Sequence, residues 1–363
     1  MCKKIFIGAT EQHCGKTTTS LSLMHLARKK YARVGFIKPV GPKPTKLRGC
    51  SVDKDAALIA EVYGLEDDLE LMSPVVLHPG STMRVLDGEI PKEYLFERVM
   101  EAYRTLESKC DFLIIEGAGH GGVGSVLGMS NARVAKELGA PVLLVSGGGI
   151  GNVIDAVSLN LSIFEKEGAD VRVVMANKLI ASKRDRTLKY LRMAYEKEKF
   201  LVTGGFNYSP ILANPTMSRI SKILGAPLQG DTSKATRIIN ETQLGAASVQ
   251  RVVDLLQDGT LLVITSSRDE LLVTIASLYH IPEYQRKITG IVISGISPVS
   301  KITQQIIDES GIPYMKPGVT TAEAFSIITD DVSKITAEDI QKINLIQSLA
   351  ESEIDFERID ALI

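Results

Sequence analysis

Short apolar runs alternate along this chain with longer stretches in which apolar residues recur at helical spacing. Ile5-Phe6-Ile7 reads as a strand and the amphipathic segment 19–28 as a helix. A second strand is predicted over 33–37, ending at Lys38-Pro39-Val40-Gly41, and the Pro- and Lys-containing stretch up to Cys50 reads as a loop. Helices are then predicted over 56–61, 94–106, 131–138 and 152–165, and strands over 111–115, 141–145 and 171–176. Near-continuous apolar strands alternating with helices predict an α/β fold, a parallel sheet with helices on both faces. The second half repeats the alternation on a smaller scale. Strands over 261–265, 290–294 and 313–315 are separated by helices over 269–278 and 300–310, and 337–351 reads as helical. The chain therefore divides into a first domain over 1–210, a smaller α/β domain over 211–330 and a helical C-terminal segment over 331–363.

Composition narrows the class without deciding it. The 363 residues are 44% hydrophobic and 23% charged, with a formal net charge of -1, so no basic excess argues for nucleic acid or an acidic membrane as partner. Lys183-Arg184-Asp185-Arg186 and Lys189 read as a solvated helix face. Cys2, Cys14, Cys50 and Cys110 show no C-x-x-C spacing, which points to free thiols in a reducing compartment. The first strand starts within a few residues of Met1, leaving no room for a signal peptide, and no apolar run reaches the roughly 18–20 residues of a membrane span. These features predict a cytoplasmic protein.

The chemistry gathers where strands end. Gly8-Ala9-Thr10-Glu11-Gln12-His13-Cys14-Gly15-Lys16-Thr17-Thr18 stands between a strand and a helix, the context in which Gly-Lys-Thr means phosphate binding. The strict motif needs glycine at position 10; Thr10 stands there, so Gly8 is expected to open a longer loop. Backbone N–H groups and the helix N-terminus face the anion, Lys16 reaches the outer phosphates and the Thr17 hydroxyl ligates Mg²⁺. Thr10, Glu11, Gly15 and Thr18 complete the expected nucleotide contacts. Ligands of open parallel sheets bind beyond the carboxyl ends of the strands, and Lys38, Asp53, Asp55, Glu116 and Asn177 all fall in or near such positions.

Glu116, followed by three small residues, reads as a metal carboxylate, and Asp55 as a second one, with Asp53 as helix cap or supporting group. Lys38 reads as a contact to an anionic substrate or transferring phosphate, or else as a surface lysine at a strand end. Asn177 has the donor and acceptor needed to meet an adenine edge, or it caps a strand; Lys178 is placed to lie along the base. His13 and His120 lie in glycine-rich loops, lining the pocket or acting in catalysis. Cys14 abuts the phosphate loop, where oxidation would block nucleotide binding.

Together, 8–18, Phe36-Ile37-Lys38-Pro39-Val40, Lys54-Asp55-Ala56, Ile115-Glu116-Gly117-Ala118-Gly119, Gly149-Ile150-Gly151-Asn152-Val153 and Asn177 resemble the dethiobiotin synthetase family over roughly 1–210. The resemblance implies ATP on the phosphate loop, Mg²⁺ on Thr17, Asp55 and Glu116, Lys16 and Lys38 at the reacting groups, and a homodimer. The chain departs from the family at Ala9-Thr10-Glu11 and at His120-Gly121-Gly122-Val123-Gly124. The second domain is similar to the DRTGG domain, through Ser266-Ser267-Arg268-Asp269-Glu270 and Ile291-Val292-Ile293-Ser294-Gly295, with Ser267 and Ile296 departing from that pattern. The pair resembles the N-terminal region of long phosphotransacetylases, without room for an acetyltransferase domain. Implied functions are a regulatory ATPase with a sensor for an unidentified small molecule, or an ATP-dependent carboxylate-activating ligase. A glutaminase in cis is excluded, because no cysteine follows Cys110.

Overall fold

The computed structural model describes residues 2–331 and 335–363. Two compact units divide the chain, one formed by 1–209 with 340–363 and the other by 210–339.

The first unit is built on six parallel strands: β1 (Lys3–Ala9), β2 (Val34–Ile37), β3 (Phe112–Glu116), β4 (Val142–Gly147), β5 (Val171–Asn177) and β6 (Leu201–Gly204). Their order across the sheet is β6-β5-β4-β1-β3-β2. Every residue of β2 and β3 is buried, the reason these strands read as unbroken apolar runs rather than alternating ones. Phe6, Ile37, Ile115, Leu144 and Val174 are core residues contributed by five of these strands. The chain runs from β1 out to β2, returns to β3 between them, then crosses to β4 on the far side of β1. Crossing of this kind opens the crevice at the carboxyl ends where ligands bind.

Helix α1 (Lys16–Lys30) follows β1 and buries Leu21, Leu23, Met24 and Ala27. Gly15 caps it at φ 103 with no side-chain capping bond, and Arg28, Lys29 and Lys30 close its last turn, where the helix dipole favours cations. Helix α2 (Lys54–Tyr63) starts on Asp53, whose carboxylate accepts from the Asp55 N–H.

Two expectations are corrected in this unit. The stretch before α2 is an antiparallel hairpin, Pro44–Leu47 with Cys50–Asp53, turned by Arg48 and Gly49 at positive φ. The C-terminal segment 331–363 is not one piece. Residues 332–334 lie outside the described residues, 335–339 group with the second unit, and 340–363 group with the first. Helix Ile340–Glu353 packs along α1, with Glu351 pairing with His25 and Lys29 and Glu353 with Arg184.

The second unit carries a four-stranded parallel sheet, β7 (Glu241–Leu244), β8 (Thr260–Thr265), β9 (Ile288–Ser294) and β10 (Tyr314–Met315), in that order. Helix Asp269–Leu278 lies between β8 and β9, and helix Lys301–Ser310 between β9 and the edge strand β10. Leu262, Ile264, Leu271, Ile275, Ile291 and Ile307 form part of one core of this unit.

Candidate functional site

Register brings the charged residues together. Ile7 of β1 pairs with Glu116 of β3, and Ile37 of β2 pairs with Ile115, so Lys38 and Glu116 emerge side by side at one sheet edge. Pro39 follows Lys38, and the Lys38 N–H is held by the Met72 carbonyl at 2.8 Å. The Lys38 ammonium lies 2.7 Å from Asp55 Oδ2 and 2.7 Å from Glu116 Oε1, with the residue only 2% exposed. Burial alone would depress the lysine; the carboxylates of Glu116 and Asp55 outweigh it and hold its pKa above the ordinary value.

From the helix side, Thr17 Oγ1 donates toward Asp55 Oδ1 at 3.2 Å and lies 3.4 Å from Glu116 Oε1. Ser20, one turn further along α1, donates to Glu116 Oε2 at 2.6 Å. Asp53 supports the cluster from beneath. Its side chain accepts from the Asp55 and Lys43 N–H groups, and its own N–H donates to Ser73 Oγ. Burial raises the Asp53 pKa, against the pull of Lys38. Asp53 is thus the cap and Asp55 the carboxylate that faces Thr17.

These oxygens suit a hard divalent cation. Magnesium with oxygen ligands at about 2.1 Å in an octahedron sets neighbouring ligands about 3 Å apart, close to the spacing of Thr17 Oγ1 from the two carboxylates. Among the described residues no group of three or more His, Cys, Asp or Glu side chains could hold a metal ion. The donor set here is two carboxylates and a hydroxyl, the mixed set expected where phosphate oxygens and water complete the shell.

Lys16 stands over the loop mouth. Its ammonium meets the Gly119 carbonyl at 3.0 Å and the Glu11 carbonyl at 3.4 Å. Burial pushes its pKa below the ordinary 10.5, with Glu116 acting in the opposite sense. Thr10 is buried, its hydroxyl 3.0 Å from Ser146 Oγ. Glu11 offers its carbonyl to Lys16 while the residue is exposed, and Thr18 lies half-buried in the first turn of α1. Gly8, expected to open the loop, is instead a strand residue; a Cβ there would come 3.3 Å from the ring of Phe164. Cys14 is 2% exposed, which removes the accessible thiol its oxidation would need.

Asn177 is brought to the loop, but both ends of its amide are engaged. Nδ2 donates to the Cys14 carbonyl at 2.8 Å, and Oδ1 accepts from the Phe206 N–H at 2.8 Å. A Cβ on Gly15 would fall 2.2 Å from Asn177 Nδ2, so the glycine is required by close approach as well as by its φ. Lys178 follows at φ 55. His13, also at positive φ, and His120 are both exposed, His120 Nδ1 accepting from the Gly122 N–H.

Two further asparagines hold the loops and had no local signal. Asn160 Oδ1 accepts from the Gly121 N–H while its Nδ2 donates to the Thr10 carbonyl, tying the loop after β3 to the loop after β1. Asn131 accepts from the Ala118 N–H and donates to the Ala118 and His120 carbonyls.

The chain has recognisable relatives among known proteins. Residues 3–216 match the AAA_26 family, described as an AAA domain. A phosphate acetyltransferase of Nitratidesulfovibrio vulgaris is 23% identical over 365 residues, covering 98% of this chain and 51% of that protein. The ATP-dependent dethiobiotin synthetase BioD of Methanocaldococcus jannaschii is 30% identical over 177 residues, covering 48% of this chain and 78% of the synthetase. The chain thus spans about half the length of the phosphate acetyltransferase it matches. Among solved structures, the ATP complex of a Cyanothece McdA variant overlays 57% of this chain and 84% of its own at 11% identity, with a TM-score of 0.37.

Proposed function

The chain belongs to the AAA-domain family that its residues 3–216 match, and on that premise we propose a regulatory ATPase, with ATP and Mg²⁺ on the first unit and a ligand-sensing unit of DRTGG type as the second. The observation that carries the reading is the buried cluster of Lys38, Asp55, Glu116, Thr17 and Ser20 at the foot of an intact Gly15-Lys16-Thr17. The uncapped N-terminus of α1 leaves its first N–H groups for phosphate oxygens. A phosphate beside Lys16 supplies the negative partner that its two carbonyl contacts replace only weakly. Thr17, Asp55 and Glu116 would hold the magnesium, which neutralises charge on the outer phosphates. Asn177 retains one amide hydrogen and one lone pair for a base edge beyond its two backbone bonds.

The ligase alternative assigns Lys38 to a carboxylate-bearing substrate. Here Lys38 is buried and ion-paired on two sides, which favours a role in keeping the metal carboxylates together. The relative named as a dethiobiotin synthetase covers only 48% of this chain, so its reaction leaves about half of the chain unaccounted for. Pairing into a homodimer accompanies the family likeness and is checked by a sedimentation mass of twice 39.4 kDa.

Calorimetric titration with ATP tests the reading. Binding is expected to need Mg²⁺ for full affinity, to weaken at least about 100-fold in Lys16→Ala, the loss of a charge-assisted phosphate contact, and to accompany slow hydrolysis. Formation of dethiobiotin from diaminopelargonate, CO₂ and ATP would replace the regulatory reading with the ligase.

A further inference from the structure

A cavity of about 520 Å³ opens in the second unit, lined by residues that follow the carboxyl ends of β8, β9 and β10, namely Ser266, Gly295 and Lys316. Ligands of parallel sheets settle at that edge, and the volume falls in the range of small-molecule sites. Its charged lining residues are Lys301 and Lys316, and no acid shares the lining among the described residues. Lys301 is exposed and makes no ion pair among the described residues, and Lys316 rests on the neutral Gln304 Oε1.

A second observation is independent of charge. Ser266 is 4% exposed, yet its hydroxyl has no hydrogen-bond partner among the described residues. Its N–H donates to the Ser294 carbonyl at 2.7 Å, which fixes the residue at the cavity wall. Gly295, at φ 97, keeps the space in front of that hydroxyl clear, since a Cβ there would stand 3.0 Å from Ser266 Oγ. That hydroxyl is not sealed in the core but opens on the cavity, so it can meet a ligand oxygen there. Arg268, by contrast, is engaged internally on the Gly245 and Ala247 carbonyls and offers little to a ligand. At the rim Ile296 is 87% exposed and Pro298 adjoins it, an apolar lip beside the cationic wall.

We propose that this cavity binds a phosphorylated small molecule of about nucleotide size, its phosphate met by Lys301, Lys316 and the Ser266 hydroxyl and its less polar part lying against Ile296 and Pro298. Two cations without an acid suit a dianionic phosphate better than a single carboxylate. The inference names the ligand class for the sensing role proposed above and rests on that reading of the second unit, not on occupancy of the phosphate loop.

The test uses the full chain at low salt, titrated with AMP, ribose 5-phosphate and pyrophosphate as probes. Four forms are compared: wild type, Lys16→Ala, Ser266→Ala, and the double variant Lys301→Glu with Lys316→Glu. Binding of at least one probe is expected to survive in Lys16→Ala, to weaken tenfold or more in the double variant, and to weaken severalfold in Ser266→Ala. Both lysines are exposed, so the double variant should melt as wild type does, and its melting curve is recorded alongside. No binding by any of the three, or binding unchanged by the charge reversal, overturns the inference. Failure of the phosphate-loop reading shows separately, as ATP affinity unchanged in Lys16→Ala.

Discussion

Lys38 Nζ lies 2.7 Å from Glu116 Oε1 with both residues buried, and the same ammonium is shared with Asp55 at 2.7 Å. One cation therefore offsets two carboxylates that water barely reaches. Its removal in Lys38→Met leaves both charges uncompensated, a change that costs about 3–5 kcal/mol where a buried pair is broken. Mg²⁺ competes for the same carboxylates, so added magnesium should recover more stability in the variant than in wild type. Urea unfolding with and without EDTA measures both effects; equal stability of the two proteins in EDTA would contradict the argument.

Gly15→Ala carries two separate penalties. At φ 103 a side chain is strained by about 1–3 kcal/mol, and the new Cβ meets Asn177 Nδ2 at 2.2 Å. Asn177→Ala relieves only the second. The double variant should therefore be more stable than the sum of the two single changes predicts, while still weaker than wild type in ATP binding. Simple additivity in thermal melts would show that the asparagine moves aside at no cost.

The sheet and the charged residues of the site were legible for related reasons. Strands buried on both faces announce themselves as apolar runs, and in a parallel sheet their carboxyl ends converge, so Lys16, Lys38 and Glu116 could be placed from position alone. Asp55, in the first turn of α2 behind the hairpin, was instead read from its place beside Asp53 at a helix start. Ser20 was legible in principle, standing three residues after Thr17 on the same helical face. Asn160 and Asn131 were not, because their work is to bond loop backbone that only the folded chain brings near. The hairpin after Val40 escaped because Pro44, Lys46 and Ser51 break any apolar alternation. Strand β6, at a sheet edge, is only alternately buried and contains Thr203 and Gly204, so it offers no unbroken apolar run, unlike the equally short but fully buried β2. In the second unit β7, half-exposed and also at an edge, was missed on the same grounds.

Lys16 should leave a signature in the alkaline range. Burial holds its folded pKa below the ordinary 10.5, so the folded protein binds fewer protons than the unfolded chain between those two values. The charged lysine opposes folding at lower pH, and this opposition fades as pH rises through the folded pKa; above 10.5 it is gone. Stability of the ligand-free protein should accordingly gain a positive slope in that window, absent in Lys16→Met. Bound phosphate favours the ammonium, so ATP binding there should take up protons, visible as a dependence of the calorimetric heat on buffer ionisation enthalpy. Identical slopes in the two proteins would remove Lys16 as the source.

Asp360 fixes the end of the chain to the start of it. Its carboxylate takes Lys3 Nζ at 3.1 Å, Lys30 Nζ at 2.8 Å and the Tyr31 hydroxyl at 2.7 Å. Burial alone would raise its pKa; the bonds from Lys30, Tyr31 and Lys3 outweigh burial and hold it below the ordinary 3.8. A depressed acid stabilises the fold above its unfolded pKa and loses that contribution as pH falls through the folded value. Asp360→Asn should thus cost about 1–3 kcal/mol at neutral pH, at the lower end because both lysines keep water contact, and the difference from wild type should shrink below pH 3.8. Because helix Ile340–Glu353 lies along α1 just ahead of this anchor, the loosened terminus should also raise amide exchange in α1, the helix that begins at Lys16. Hydrogen exchange read in α1 decides the point: unchanged protection there, alongside a real loss of global stability, would confine the role of Asp360 to the chain end.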